Sequence, residues 1–220
     1  MLLNVELQDY LESLIPARPG IFAEMEAFAK ENNVPIMEPL GMELLLQILR
    51  IHQPSKILEI GTAIGYSALR MAFALPGSRI VSIERDMERY TEAKKNIKKA
   101  GASDRIQIIH GDALETVEEA SSHGPFDAIF IDAAKGQYRK FFSLYSSFLR
   151  DGGIMVSDNV LFKGLVYGEE IENKRLSKLA GKINGYNQWL MSQKEYVTTI
   201  IPAGDGIAIS LKRGEGYEKA

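Results

Sequence analysis

Short apolar runs alternate along this chain with longer stretches whose apolar residues recur every three or four positions. Runs near 57–60, 80–84, 106–110, 127–131 and 154–157 read as strands buried on both faces. Helices are expected between and after them, near 67–75, 86–100, 113–121, 136–149 and 173–193. Such alternation predicts a parallel sheet with helices on both faces. Ahead of the first strand, Val5 to Ile15 has helical spacing through Leu7, Tyr10, Leu11, Leu14 and Ile15, and Pro16 ends it. Pro19 fits the first turn of a second helix reaching about Asn32. Met42 to Ile51 forms a third. These three make a cap or one helical layer of the sheet. The tail changes pattern. Tyr196–Ile201 and Gly206–Lys212 are β-rich and joined by Pro202–Ala203–Gly204–Asp205, which predicts a closing antiparallel hairpin. With no internal repeat or low-complexity linker, residues 1–220 read as one α/β domain, with 1–52 as the helical cap region.

The first strand runs straight into a glycine turn, Gly61–Thr62–Ala63–Ile64–Gly65, and a helix starts at Ser67 and stops at Pro76–Gly77. A strand, a glycine turn and free N–H groups at a helix start make a nucleotide-type site. The glycines are spaced G-x-x-x-G, and Ala63 stands where a dinucleotide fingerprint needs its second glycine. Glu59, two residues before the turn, repels phosphate and suits a cationic ligand such as the aminoacyl end of S-adenosylmethionine. A tight turn with no ligand is the alternative.

Ligands of open α/β sheets bind beyond the carboxyl ends of the strands. The second strand ends in Glu84, and an acid about 20 residues past the glycine turn typically accepts both ribose hydroxyls. The third ends in Gly111–Asp112–Ala113, where the carboxylate either accepts from an adenine amino group or caps a helix. The fourth ends in Asp132 and the fifth in Asp158–Asn159. On neighbouring strands those three side chains converge, and two carboxylates with an amide oxygen suit Mg²⁺ or Ca²⁺. Lys135 follows Asp132 by three residues and is either a base for a hydroxyl held near that cation or a solvated lysine.

Composition narrows the setting. There is no cysteine, so neither a disulfide framework nor a thiolate metal site is possible. His52, His110 and His123 are scattered and read as packing or surface residues. The first twelve residues carry Glu6, Asp9 and Glu12 and no basic residue, unlike a signal peptide, and no apolar run approaches a membrane span. The expected setting is the cytoplasm, with no membrane contact. A net charge of −3 gives no global pull toward nucleic acid, so any such contact must be local.

The spaced motifs Glu59–Ile60–Gly61–Thr62–Ala63–x–Gly65–Tyr66–Ser67, Glu84, Gly111–Asp112–Ala113, Asp127–x–x–Phe130–Ile131–Asp132–Ala133–x–Lys135–x–x–Tyr138, Asp158–Asn159 and Pro202–x–Gly204–Asp205–Gly206 resemble the cation-dependent O-methyltransferases, over about residues 35–213. The resemblance implies a Rossmann-like class I methyltransferase fold with a seven-stranded, mostly parallel sheet and an antiparallel last strand. It implies S-adenosylmethionine bound by Glu59, Gly61, Ser67, Glu84, Asp112 and Ala113, with Met37 and Asp132 beside it. It also implies Mg²⁺ on Asp132, Asp158 and Asn159, with Lys135 as general base; a homodimer is expected separately. Two features depart from the better-known branches. Ala134 replaces the tryptophan of catechol methyltransferases, and the coenzyme A-binding features of the plant enzymes are absent. The whole chain, with Ala17–Arg18–Pro19–Gly20, is most similar to the bacterial branch that methylates 5-hydroxyuridine at the tRNA wobble position. That implies tRNA as partner, while small vicinal phenols remain an alternative because they offer the same chelating pair of oxygens. NAD-dependent oxidoreduction and a non-catalytic adenosyl-binding module fit the residues less well. Lys163, Lys174, Lys178 and Lys182 follow the acidic set, the last three on one helical face, and with Arg18 they are candidate tRNA contacts; the other reading is a solvated face near Glu169, Glu170 and Glu172.

Overall fold

The structure is a computed structural model and describes residues 5–18, 20–167 and 171–214; Pro19, Glu169 and Glu170 lie outside them. Helices α1 (Val5–Ser13), α2 (Ile21–Glu31) and α3 (Pro39–His52) precede β1 (Lys56–Ile60). Then come α4 (Tyr66–Ala74), β2 (Arg79–Glu84), α5 (Met87–Lys99), β3 (Ile106–His110), α6 (Val117–Ser121) and β4 (Phe126–Ile131). The chain continues through α7 (Tyr138–Tyr145), β5 (Leu149–Ser157), α8 (Lys174–Ser192), β6 (Tyr196–Ile201) and β7 (Ile207–Lys212). The seven strands form one sheet in the order β3-β2-β1-β4-β5-β7-β6. Pairing is parallel through β5, and β7 runs antiparallel to both of its neighbours.

Alternation along the central strands builds two cores. Ile57, Ala128, Phe130, Ile154 and Val156 face Met25, Met42, Leu45, Leu46 and Leu49 of α2 and α3 together with α4. Leu58, Ile60, Ile129, Ile131 and Met155 face Phe141, Phe142, Tyr145, Tyr186 and Leu190 of α7 and α8. The N-terminal helices α2 and α3 are therefore part of one helical layer. Burying a side chain of this size stabilises by about 1.5–3 kcal/mol, so each two-sided strand anchors both layers.

Element boundaries differ from the expected ones for local reasons. α3 begins at Pro39 because proline is tolerated in the first turn, where its missing N–H has no partner to lose. The helix expected from residue 113 starts only at Val117, since Asp112 Oδ1 accepts from Leu114 N–H at 2.9 Å and ties that stretch into a turn. β5 reaches back to Leu149, which pairs with Phe126 across an irregular register, and Gly152 supplies the positive φ of 72° on the way. The helix expected over 136–149 is α7 flanked by tight turns at 135–137 and 146–148.

Strand order reverses between β1 and β4, the place where open sheets leave a crevice. There the Gly61 turn (φ 104°) passes so close to β4 that a Cβ on Gly61 would lie 1.9 Å from the Asp132 carbonyl oxygen. Gly61→Ala therefore adds a clash with backbone to a strained φ. We expect a loss of about 3 kcal/mol or more in chemical denaturation. A loss under about 1 kcal/mol would show that the turn can move away.

Candidate active site

A cavity of about 370 Å³ opens at the carboxyl ends of the central strands. The glycine turn forms its floor, with Gly61, Ala63 and Gly65 all at positive φ. Glu84, 7% exposed, borders it and braces the turn. Its Oε2 accepts from Ala63 N–H at 2.8 Å and its Oε1 from Asp86 N–H at 2.9 Å. The cap of α5 is Asp86, which accepts from Arg89 N–H at 3.0 Å, so Glu84 is not spent on capping. Gly61, Ser67, Asp112, Ala113 and Met37 line the same cavity. Asp112 keeps its second oxygen toward Arg85, 3.7 Å away, and the Ala113 carbonyl accepts from the Tyr145 hydroxyl at 2.8 Å.

Glu59 sits differently from its expected place. It is 0% exposed, does not line the cavity, and lies one layer beneath it. Its two oxygens accept from the hydroxyls of Ser67 and Ser82. Ser82 in turn lies 2.5 Å from the Thr62 hydroxyl. Glu59 thus orients Ser67, which does reach the cavity. Burial raises the Glu59 carboxyl to about 7, with the two serine hydrogen bonds opposing the rise.

Asp132 and Asn159 line the cavity, and Asp158, 3% exposed, does not. β4 and β5 bring them together, since Asp158 N–H donates to the Ile131 carbonyl at 3.0 Å and Asn159 Nδ2 to Asp158 Oδ2 at 3.1 Å. Asp132 is open to the cavity and enclosed by protein elsewhere. Burial raises its carboxyl to about 6, Lys135 lowers it and Asp205 raises it. Burial, then the charge of Asp132, raises Asp158 well above the usual carboxylate range. The Tyr138 hydroxyl is buried in the field of both carboxylates and has no hydrogen-bond partner. Two crowded carboxylates, an amide oxygen and an unpartnered phenol form an all-oxygen environment that fits a hard divalent cation. Among the described residues no group of three or more His, Cys, Asp or Glu side chains could hold a metal ion.

Asp205 had no role assigned from the sequence, although its Pro202–Gly206 turn stood out. Its Oδ2 lies 3.5 Å from Lys135 Nζ, and its Oδ1 accepts from Lys163 N–H. Leu161 N–H donates to its carbonyl at 3.0 Å. The hairpin turn therefore holds the loop after β5, where Asn159, Phe162 and Lys163 all have positive φ. Each such residue costs on the order of 1–3 kcal/mol, which the surrounding contacts must hold in place. Lys135 Nζ also lies 5.1 Å above the Phe162 ring.

The candidate tRNA contacts separate. Arg18 is not free: it forms two bonds to Glu26, at 2.6 and 3.2 Å, and that pair continues through the Tyr66 hydroxyl, 2.6 Å from Glu26, to Arg70 and Glu43. Arg18 thus ties the N-terminal helices to α4, whose Tyr66 lines the cavity. Lys163 contributes its backbone to the loop and does not line the cavity. Lys174, Lys178 and Lys182 are exposed along α8, and Lys182 lies over Gly136, next to Lys135.

The buried Glu59 makes a pH prediction. Its folded pKa, about 7, exceeds its ordinary value of 4.5, so the folded state holds the proton more tightly. That stabilisation is complete below about 4.5 and is lost as pH rises through about 7, by up to about 3 kcal/mol. Unfolding of Glu59→Gln, measured in chelator, should depend less steeply on pH over that window than unfolding of the unsubstituted protein. Equal slopes would mean that Glu59 ionises without cost.

Residues 17–213 match the O-methyltransferase family. A flavonoid 3',5'-methyltransferase of Vitis vinifera is 32% identical over 184 residues, 80% of this chain and 77% of that protein. A structure from Staphylococcus aureus, solved under the provisional name caffeoyl-CoA O-methyltransferase, superposes with a TM-score of 0.89 at 35% identity and covers 95% of this chain and all of that one. An O-methyltransferase from Bacillus cereus, solved with S-adenosylhomocysteine (SAH), superposes with a TM-score of 0.80 at 25% identity over 94% of this chain and 97% of that one. Among the described residues no helix is long and apolar enough to cross a membrane. Strand order, glycine turn, acidic strand ends and these likenesses agree: the chain belongs to the O-methyltransferase family.

Proposed function

We propose that this protein is a Mg²⁺- and S-adenosylmethionine-dependent O-methyltransferase that converts 5-hydroxyuridine at the tRNA wobble position to 5-methoxyuridine. The observation that carries the chemistry is the corner of the cavity lined by Asp132, Asn159 and Lys135, with the buried carboxyl of Asp158 in the field of Asp132. S-Adenosylmethionine supplies an electrophilic methyl group. Mg²⁺ supplies charge that favours loss of the proton from a hydroxyl beside it. Glu84 accepts from the ribose hydroxyls, Asp112 and Ala113 border the adenine, and Gly61, Ser67 and Met37 hold the aminoacyl and methyl end. Asp132, Asp158 and Asn159 hold the cation. Lys135, steadied by Asp205 and Phe162, orients the acceptor hydroxyl and, when neutral, takes its proton. Glu59 acts through Ser67.

The acceptor presents two adjacent oxygens, a 5-hydroxyl and a 4-carbonyl, to this corner. Small vicinal phenols present the same pair, and the flavonoid methyltransferase among the relatives favours that second reading. For tRNA, the support is Lys182 over Gly136, next to Lys135 in sequence, and the exposed Lys174 and Lys178 on the same helix. A homodimer would double that basic face. This reading puts the reaction in the cytoplasm. The deciding experiment offers the purified protein both tRNA carrying 5-hydroxyuridine and catechol, and reads nucleosides and phenols by mass spectrometry. We expect methoxyuridine; methylated catechol with untouched tRNA would replace this reading with the second one.

Two substitutions test the assigned roles. Glu84→Ala should weaken S-adenosylmethionine binding by about 1–3 kcal/mol in calorimetry, the cost of losing a charged acceptor. An unchanged affinity would reduce Glu84 to a brace for the turn. Asp158→Ala should abolish most transfer while the donor still binds, and chelation followed by Mg²⁺ should switch the unsubstituted enzyme off and on. Transfer that survives chelation would remove the cation from the scheme.

A further inference from the structure

Arg18, in the segment between α1 and α2, turns its guanidinium to Glu26 of α2. Its Nε donates to Glu26 Oε1 at 2.6 Å and its Nη2 to Oε2 at 3.2 Å, the paired geometry a guanidinium fork makes with a carboxylate. The same Oε1 also accepts from the Tyr66 hydroxyl at 2.6 Å. Tyr66 in turn accepts from Arg70 Nη1 at 2.8 Å, and Arg70 Nη2 donates to Glu43 of α3. A phenol has one O–H to give, and here Glu26 takes it. Burial raises this phenol to about 12, so it remains a donor through neutral pH.

Two features separate this chain of contacts from an ordinary surface ion pair. Its members are enclosed: Tyr66 and Arg70 are buried, and Arg18 and Glu26 are partly buried. It also ends at the donor cavity, because Tyr66 lines that cavity beside Ser67 in the first turn of α4. The Tyr66 ring is fixed by more than its hydroxyl. Phe22 packs edge-on against it with centroids 6.2 Å apart, and the Arg70 guanidinium lies 5.6 Å from its centroid. A ring free to turn must be immobilised by the ligand, which weakens binding; a ring fixed beforehand spares that cost. Arg18, Glu26 and Arg70 do not line the cavity themselves, so their hydrogen-bonded route to it runs through Tyr66.

We propose that Arg18 and Glu26 are positioning residues for the methyl donor: they fix Tyr66 in the cavity wall, so that the segment ahead of α2 helps to set the affinity for S-adenosylmethionine. This rests on the assignment of that cavity to the donor.

The test is calorimetry of S-adenosylmethionine binding to the whole protein and to Arg18→Gln, Glu26→Ala, Tyr66→Phe and Arg18→Gln/Tyr66→Phe. Phenylalanine keeps the ring and removes only the hydroxyl, and circular dichroism checks that each variant is folded. Each single change should weaken the donor roughly threefold to tenfold, the size expected when a ligand must immobilise one more side chain. Arg18→Lys, which keeps the charge but not the paired fork, should recover part of the loss. The double variant should bind no more weakly than Tyr66→Phe alone, because Arg18 acts through a hydroxyl that is already gone. Folded variants that bind the donor as tightly as the parent overturn the proposal, and so does a double variant whose two losses multiply. A parent that binds no S-adenosylmethionine removes the assignment of the cavity and this proposal together; a parent that binds it no better than the variants removes this proposal alone.

Discussion

The site depends on one close approach of backbone to backbone. Gly61 lies where a side chain would strike the Asp132 carbonyl, and this contact joins the turn after β1 to the end of β4. β1 and β4 flank the point where strand order reverses, so the contact lies at the crevice. The half of the cavity bordered by Glu84 and Asp112 and the half bordered by Asp132 and Asn159 meet here. Any residue with a Cβ would push the two halves apart.

Crowded negative charge is the second organising feature. Asp132 raises the tendency of Asp158 to hold a proton, and Asp205 adds to both. Lys135 offsets part of that charge from one side only. Such an arrangement is poor for the stability of an empty site and well suited to receiving a cation. The strained loop carrying Asn159 is held by hydrogen bonds from the β6–β7 hairpin and by Asn187, whose Nδ2 donates to the Val160 carbonyl at 2.7 Å. The C-terminal hairpin therefore shapes the reaction side as firmly as the strands that carry its acids. At the other rim, the chain of contacts from Arg18 through Glu26 and Tyr66 to Arg70 makes the N-terminal helices a wall of the cavity.

Much of this was legible in the linear pattern, because two-sided burial leaves a local mark. Strands that need apolar residues on both faces read as apolar runs, and all five parallel strands appear where those runs lie. The hairpin was legible from β-rich runs around a Pro–Gly–Asp turn, and the acidic strand ends from the rule that ligands bind there. Helix limits were less legible near 113–116, where a single carboxylate-to-backbone bond in a turn outweighs helical periodicity.

What only the tertiary structure decided are the relations between residues far apart in the chain. Periodicity cannot say that Glu59 lies beneath the cavity and meets Ser67 and Ser82, because which face of a two-sided strand meets the cavity depends on neighbouring strands. It cannot show that Arg18 is consumed by Glu26, or that Asp205 reaches Lys135 across a gap of 70 residues. The sequence by itself determined the fold class and the acids at the strand ends, through short-range burial and turn chemistry. Long-range packing decided which of those groups touch the cavity and which brace it.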